Sequence, residues 1–170
     1  MTVRVFAAIC VVASCTLLGF GAERSAYLRV RRSAELISAL KLIRDEIGYA
    51  VTPIDRAFRA AAGAAGENGE LFISCAEAVE AGEAVSAAWR RCVSSAREEG
   101  RLTGGQAELL DILTPLWGKA DAQAQCSALD GVTLRLEEQY EKLRGEHGRN
   151  AAIIRCSGLL AGLTAAVLLF

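Results

Sequence analysis

The stretch that decides the fold is EIGYAVTPIDRAF, residues Glu46–Phe58, where one charged helical pattern ends and another begins. Proline cannot continue a helix because it lacks a backbone N–H, but it fits the first turn of a new helix, and threonine is a good N-cap. We therefore expect Thr52 and Pro53 to start a second helix at a sharp corner. Apolar residues at three- and four-residue steps form one helix face before this corner: Leu36, Leu40, Ile43 and Ile47.

Glycines and a second proline divide the rest of the middle into further helices. A loop is expected at GAAGENGE, residues 63–70, and helix ends are expected near Gly82 and Gly100. Pro115 should kink or end the helix that follows Thr103. A last, long helix follows, and no strand-like alternation competes anywhere. The sequence predicts an all-α fold, an antiparallel bundle of about six helices over residues 23–149.

The chain is apolar at both ends. Residues 5–22 hold eighteen residues without a charge, about 27 Å of helix, which is close to the thickness of a hydrocarbon core. We expect an uncleaved transmembrane helix here. A cleaved signal peptide is one alternative, although GFGA (19–22) is a poor cleavage site. A lipoprotein anchored at Cys15 of VASC is another, but the apolar run continues to Phe20.

The carboxyl-terminal end predicts a second transmembrane helix over residues 151–170, in which only Arg155 is charged. Arginine in such a position snorkels to the interface. The alternative is a buried hairpin partner or a re-entrant segment, because the uncharged run from Cys156 is short. Gly158 and Gly162 form a GxxxG motif and are candidates for close helix packing in lipid.

Arginine and lysine placement predicts the orientation. Positive charges near span ends mark the cytoplasmic side of a membrane. On the opposite side, only Arg4 is positively charged. The bundle is therefore expected in the cytoplasm. An outward-facing bundle would instead make Cys75, Cys92 and Cys126 disulfide candidates. The positive residues nearest the inner ends of the two spans are Arg24, Arg29, Arg31, Arg32, Lys142, Arg144, Arg149 and Arg155.

Nothing in the sequence predicts catalysis, a cofactor or a metal. His147 is the single histidine among 170 residues, and the six cysteines include no CxxC pair. Gly118-Lys119 lacks the upstream glycine of a phosphate-binding loop. The net charge of −1 gives no reason to expect nucleic acid as a partner. We expect a protein that is not an enzyme.

Four motifs resemble the stage III sporulation protein AB family, over nearly the whole chain. They are GF (19–20), EIGY followed by TPI (46–49 and 52–54), WGKADAQAQ (117–125) and GLLAGL (158–163). The third matches a Leu-Gly-x-x-Asp-x-x-x-Gln pattern at Gly118, Asp121 and Gln125. The chain departs from the family pattern at two places, with Trp117 where leucine is usual and Ile54 where leucine is more frequent.

The resemblance implies a membrane protein of endospore-forming bacteria, within the apparatus that joins mother cell and forespore. The middle domain is similar to the helical cytoplasmic domains of type II secretion F proteins. The implied partners are a cytoplasmic secretion-type ATPase (stage III sporulation protein AA), other stage III channel proteins and membrane lipid. The implied location is the mother-cell membrane (the outer forespore membrane), with the bundle in the mother-cell cytoplasm. Rings and dimers both stay open.

A different class of function stays open beside this one. The chain would then be an outward-facing bundle, tethered by its spans or by lipid on Cys15, that binds a ligand or a protein partner. Lipid on that cysteine or disulfides in the bundle would favour this alternative.

The motifs supply the candidate residues, which are either architectural or partner-contacting. We expect Tyr49 to pack while its hydroxyl finds a polar partner, and Glu46 to bind backbone groups at the turn. Asp121 and Gln125, four residues apart on one helix face, suit a helix start or a docking surface. The full set is Glu46, Tyr49, Thr52, Pro53, Gly118, Asp121 and Gln125.

Overall fold

The computed structural model is helical. It describes residues 24–25, 27–118 and 120–145 in full, and for residues 2–23, 26 and 146–169 it gives the helix assignment alone. Within these ranges there is no strand, so the prediction of an all-α chain with about six helices is confirmed. The elements are α1 (Thr2–Gly48), α2 (Ile54–Ala64), a 3₁₀ turn (Gly66–Asn68), α3 (Gly69–Glu80), α4 (Val85–Glu98), α5 (Gly104–Asp111) and α6 (Ala122–Leu169).

The chain divides into two units, one of residues 31–140 and one of residues 1–30 with 141–170. Among the residues described in full, no helix combines the length and apolarity needed to cross a membrane. The predicted spans, 5–22 and 151–170, lie outside those residues, as do Gly158 and Gly162. The two membrane helices and the boundaries of the 23–149 domain therefore stay predictions.

Within the 31–140 unit, α1 and α6 run antiparallel. Residues that come later in α1 contact residues that come earlier in α6. Gly48 lies against Cys126, and Arg44 binds Asp130 with Nε 3.1 Å from Oδ1. Lys41 pairs farther along with Glu137, at 2.7 Å. The partners of both ion pairs are partly exposed to solvent, and such pairs contribute little to stability. Apolar burial therefore stabilises the two helices against each other.

Four aromatic rings hold the centre of the bundle together. Phe58 of α2 stacks on Trp89 of α4 at 5.5 Å and meets Trp117 edge-on at 5.4 Å. Phe72 of α3 lies 6.1 Å from Trp89. The buried indole Nε1 of Trp89 donates to the Leu110 carbonyl at 3.0 Å, which satisfies its polar group. One cluster thus joins α2, α3, α4 and the segment before α6.

The chain between α2 and α3 is more regular than the predicted loop at residues 63–70. Asn68, expected in an open loop, is 1 % exposed, and its Nδ2 donates to the Arg32 carbonyl of α1 at 3.4 Å. Gly69 starts α3 against α2, because a Cβ at Gly69 would lie 2.7 Å from the Ala62 carbonyl oxygen. The predicted break between two helices is present, but it is shorter than residues 63–70, because burial against α1 orders the segment as a 3₁₀ turn.

Candidate protein-interaction site

The corner between α1 and α2 is closed by hydrogen bonds between Thr52 and Glu46. The Thr52 amide donates to the Glu46 carbonyl at 3.0 Å, and the Thr52 hydroxyl donates to Glu46 Oε2 at 2.5 Å. Two predictions need correction here. Pro53, not Thr52, is the N-cap of α2, and no side-chain hydrogen bond caps that helix. Glu46 binds the threonine hydroxyl through its carboxylate rather than a backbone group, because the corner turns Thr52 back toward the end of α1.

Tyr49 was predicted to pack into the bundle, but it does not. Its side chain is 78 % exposed, and the guanidinium carbon of Arg44 lies 5.3 Å from its ring centroid. The Tyr49 side chain, followed by the Asp130 and Asp45 carboxylates, raises the pKa of Arg44 above its ordinary value. Cation–π contacts of this kind hold a ring in place at exposed sites. Tyr49 therefore stands outward at the corner, in contact with Arg44.

Val51 is the feature of this corner that the sequence reasoning missed. It has φ 52° and is 79 % exposed, and it is the one non-glycine residue with a positive φ in the described part of the chain. The left-handed region costs an L-residue about 1–2 kcal/mol, and β-branching makes it a true outlier. No propensity scale signals this conformation at a valine. Only the short connection between two packed helices imposes it.

The second motif forms the turn before α6. The helix that begins after Thr103 ends at Asp111, and residues 112–118 continue as turns through Pro115. Proline disfavours helical backbone in the residue before it, as expected for an early end. Gly118 has φ 74°, a left-handed conformation that glycine adopts without steric cost. Gly118 is therefore architectural at this turn.

Asp121 caps α6. Its Oδ1 accepts from the Ala124 amide at 2.7 Å, three residues on, which is N-cap geometry. Of the two roles that the sequence left open for Asp121, the structure shows the helix start.

Asp121→Ala is expected to lower the free energy of unfolding by about 1 kcal/mol, because one amide at the helix start loses its acceptor. Asp121→Asn, which keeps an acceptor at the same place, should lower the free energy of unfolding by only a few tenths of a kcal/mol. Denaturant titration of the detergent-solubilised chain measures both. Equal losses in the two variants would contradict the capping role.

Gln125 lies one turn further along α6, half-buried beside Trp117 in an apolar depression. Its Nε2 donates to the Ala120 carbonyl at 2.9 Å, so it also stabilises the turn into α6. The two motifs meet at one end of the bundle. At that end the thiol of Cys126 lies 3.6 Å from the Arg44 carbonyl, which ties the start of α6 to the last turns of α1.

The three cysteines described in full are free and buried. Two causes raise the pKa of the Cys75 thiol above its ordinary value: chiefly a hydrogen bond with Cys92 and, second, burial. A buried, protonated thiol is inert toward most reagents. In the described residues no group of three or more His, Cys, Asp or Glu side chains is placed to hold a metal ion. His147 lies outside them.

Comparison with known proteins agrees with the architecture. The family described as stage III sporulation protein AB matches residues 4–170. A solved structure of a stage III sporulation protein AB has the same fold, with a TM-score of 0.59 at 19 % identity, over 69 % of this chain and 94 % of that chain. No curated protein matches. Because the family match spans nearly the whole sequence, this chain belongs to the stage III sporulation protein AB family.

Proposed function

We propose that this chain is a membrane-anchored platform of the secretion-like channel between mother cell and forespore. In this role its helical bundle docks a cytoplasmic secretion-type ATPase, stage III sporulation protein AA, and contacts other stage III channel proteins. The observation that carries the proposal is the family match over residues 4–170, which takes in both apolar ends together with the bundle. The proposed role is assembly, with no catalytic step assigned to the chain.

The distribution of positive charge supports the proposed location in the mother-cell membrane. Arginines and lysines lie near the inner ends of both predicted spans, as the positive-inside rule requires for a cytoplasmic domain. The bundle is also covered by charged side chains that pair across its surface, such as Arg59 with Glu80 and Arg91 with Glu83. Such a surface suits a domain that meets its partners from water.

Topology is the first test of this function. The chain is expressed in growing cells, where its membrane faces the medium. There we expect a cysteine at Ala81, exposed in the turn between α3 and α4, to react with a membrane-impermeant thiol reagent only after the membrane is opened. Cys10, Cys15 and Cys156 are first replaced by serine. The matched control is the same chain without Ala81→Cys, which should stay unlabelled because its remaining thiols are buried.

Labelling of Ala81→Cys in intact cells would place the bundle outside and end the ATPase-docking proposal. The outward-facing tether would then replace it. Mass spectrometry of the unaltered chain, which keeps Cys15, would show whether that cysteine carries lipid and so separate the lipid-anchored from the helix-anchored form.

A further inference from the structure

We propose that the exposed corner tip Tyr49–Val51 is the anchor by which this protein docks its partner, and that it seats in an apolar recess rimmed by basic side chains on a partner protein. This inference rests on the proposed function, which supplies the partner, and adds the surface and its chemistry. Tyr49 and Val51, at 78 % and 79 %, are the two most exposed large apolar side chains in the described part of the chain.

The backbone at Val51 is the first argument. The other four positive-φ positions that the structure describes are glycines, 66, 82, 100 and 118, whereas the corner holds a β-branched valine at φ 52°. Glycine at 51 would fit this backbone without strain. A strained residue that also exposes its side chain serves packing poorly, and strain of this kind concentrates at functional sites. A valine in this conformation is therefore explained better by a contact outside the bundle than by packing within it.

The tip is also held ready for binding. The amides of Tyr49 and Ala50 donate to the Asp45 carbonyl at 2.9 and 3.4 Å, and the Thr52–Glu46 hydrogen bonds close the corner behind them. Arg44 stacks on the Tyr49 ring and is itself held by Asp130. Ordering flexible side chains weakens binding, so a pre-ordered aromatic anchor binds more tightly for the same contacts. Tyrosine is also among the residues enriched at binding hot spots.

The charges around the tip indicate the partner's chemistry. In the contacts described around the tip, Arg44 pairs with the carboxylates of Asp45 and Asp130, and a third carboxylate, that of Glu46, binds Thr52. The side chains of Asp45 and Asp130 are each more than half exposed. A rim with excess negative charge favours a positive rim on the partner and speeds the encounter at low salt. The partner surface is thus an apolar recess bordered by lysine or arginine.

The test measures binding of the full-length chain, in nanodiscs, to the purified cognate ATPase by biolayer interferometry. Tyr49→Ala and Val51→Gly should each raise Kd by about tenfold or more, and the wild-type affinity should fall as KCl is raised. Val51→Gly should leave the melting temperature unchanged or higher, because it relieves the strained backbone. Weaker binding with equal or greater stability is a result that a merely structural residue does not give. The matched control is Leu134→Ala, another exposed apolar side chain, which should bind as wild type does.

The outcomes separate this inference from the proposed function. If wild type and both tip variants bind the ATPase equally well, docking stands and the tip proposal is overturned. If wild type does not bind, the proposed ATPase docking fails. The tip is then judged by p-benzoylphenylalanine placed at Tyr49, and at Leu134 as control, in sporulating cells. A crosslink specific to Tyr49 onto a basic-rimmed site of another channel protein supports the tip. A crosslink to a second copy or to lipid, or none, overturns it.

Discussion

Replacing Trp89 with alanine is expected to lower the free energy of unfolding by about 3–5 kcal/mol, the largest effect of any single change considered for this chain. Trp89 is fully buried and contacts three other aromatic rings, so truncation leaves a cavity where α2, α3 and α4 meet. It also leaves the Leu110 carbonyl without its indole donor. Denaturant titration of the detergent-solubilised chain, followed by far-UV circular dichroism, measures the change.

A matched pair separates the ring from its hydrogen bond. Trp89→Phe keeps an aromatic ring but removes the donor to Leu110, whereas the Nε1 of Trp117 is buried with no partner in the described part of the chain. Trp117→Phe therefore loses ring volume only. We expect Trp89→Phe to be the more destabilising of the two by about 1 kcal/mol, the net worth of one hydrogen bond. A loss at Trp117 equal to or larger than that at Trp89 would show that the Leu110 bond contributes nothing.

The second large effect is expected at the close approach of α2 and α3. Gly69→Ala would bring a Cβ to 2.7 Å from the Ala62 carbonyl oxygen, a backbone atom that cannot rotate away. The two helices must separate, and overpacking of this kind costs about 1–3 kcal/mol. The melting temperature of the full-length chain should fall accordingly.

Gly63→Ala is the control for this change, since a Cβ at Gly63, inside α2, meets nothing within 4 Å. Removing a glycine from the last turn of α2 should stabilise the protein by about 0.5 kcal/mol, because glycine loses more backbone freedom on folding. The two substitutions are chemically identical and should act with opposite signs. Shifts of the same sign would mean that the α2–α3 contact is looser than its geometry indicates.

Helix order could be predicted from local chemistry alone. Apolar residues at helical spacing marked each face, and Leu36, Leu40 and Ile43 are all fully buried in the bundle. Glycine and proline act through the backbone of their own position, so they punctuate a chain wherever it lies. Gly82 and Gly100 accordingly have positive φ at the ends of α3 and α4. The apolar spacing and the positions of glycine and proline predict the helices correctly because both act on neighbouring residues in the sequence.

The exposure of Tyr49 and the burial of Asn68 were harder to predict, because both depend on residues far along the chain. Tyrosine in this motif predicts a packed side chain, yet Tyr49 lies outside, beside Arg44, which binds Asp130 86 residues away. Asn68 was predicted to lie in a loop, yet it is buried against α1 and donates a hydrogen bond to a carbonyl of that helix. Glu46, Thr52, Asp121 and Gln125 were found from their motifs, but which atoms they bind was not.

The sequence by itself determined that this chain is an all-α member of its family, since periodicity, glycine, proline and motif order are local properties. Only the tertiary structure decided that Tyr49 and a strained Val51 stand exposed together. The physical reason is that packed helices fix the ends of the segments that join them. Once α1, α2 and α6 are packed, the few residues joining them must take whatever backbone the fixed helix ends require, and no local preference of those residues selects it.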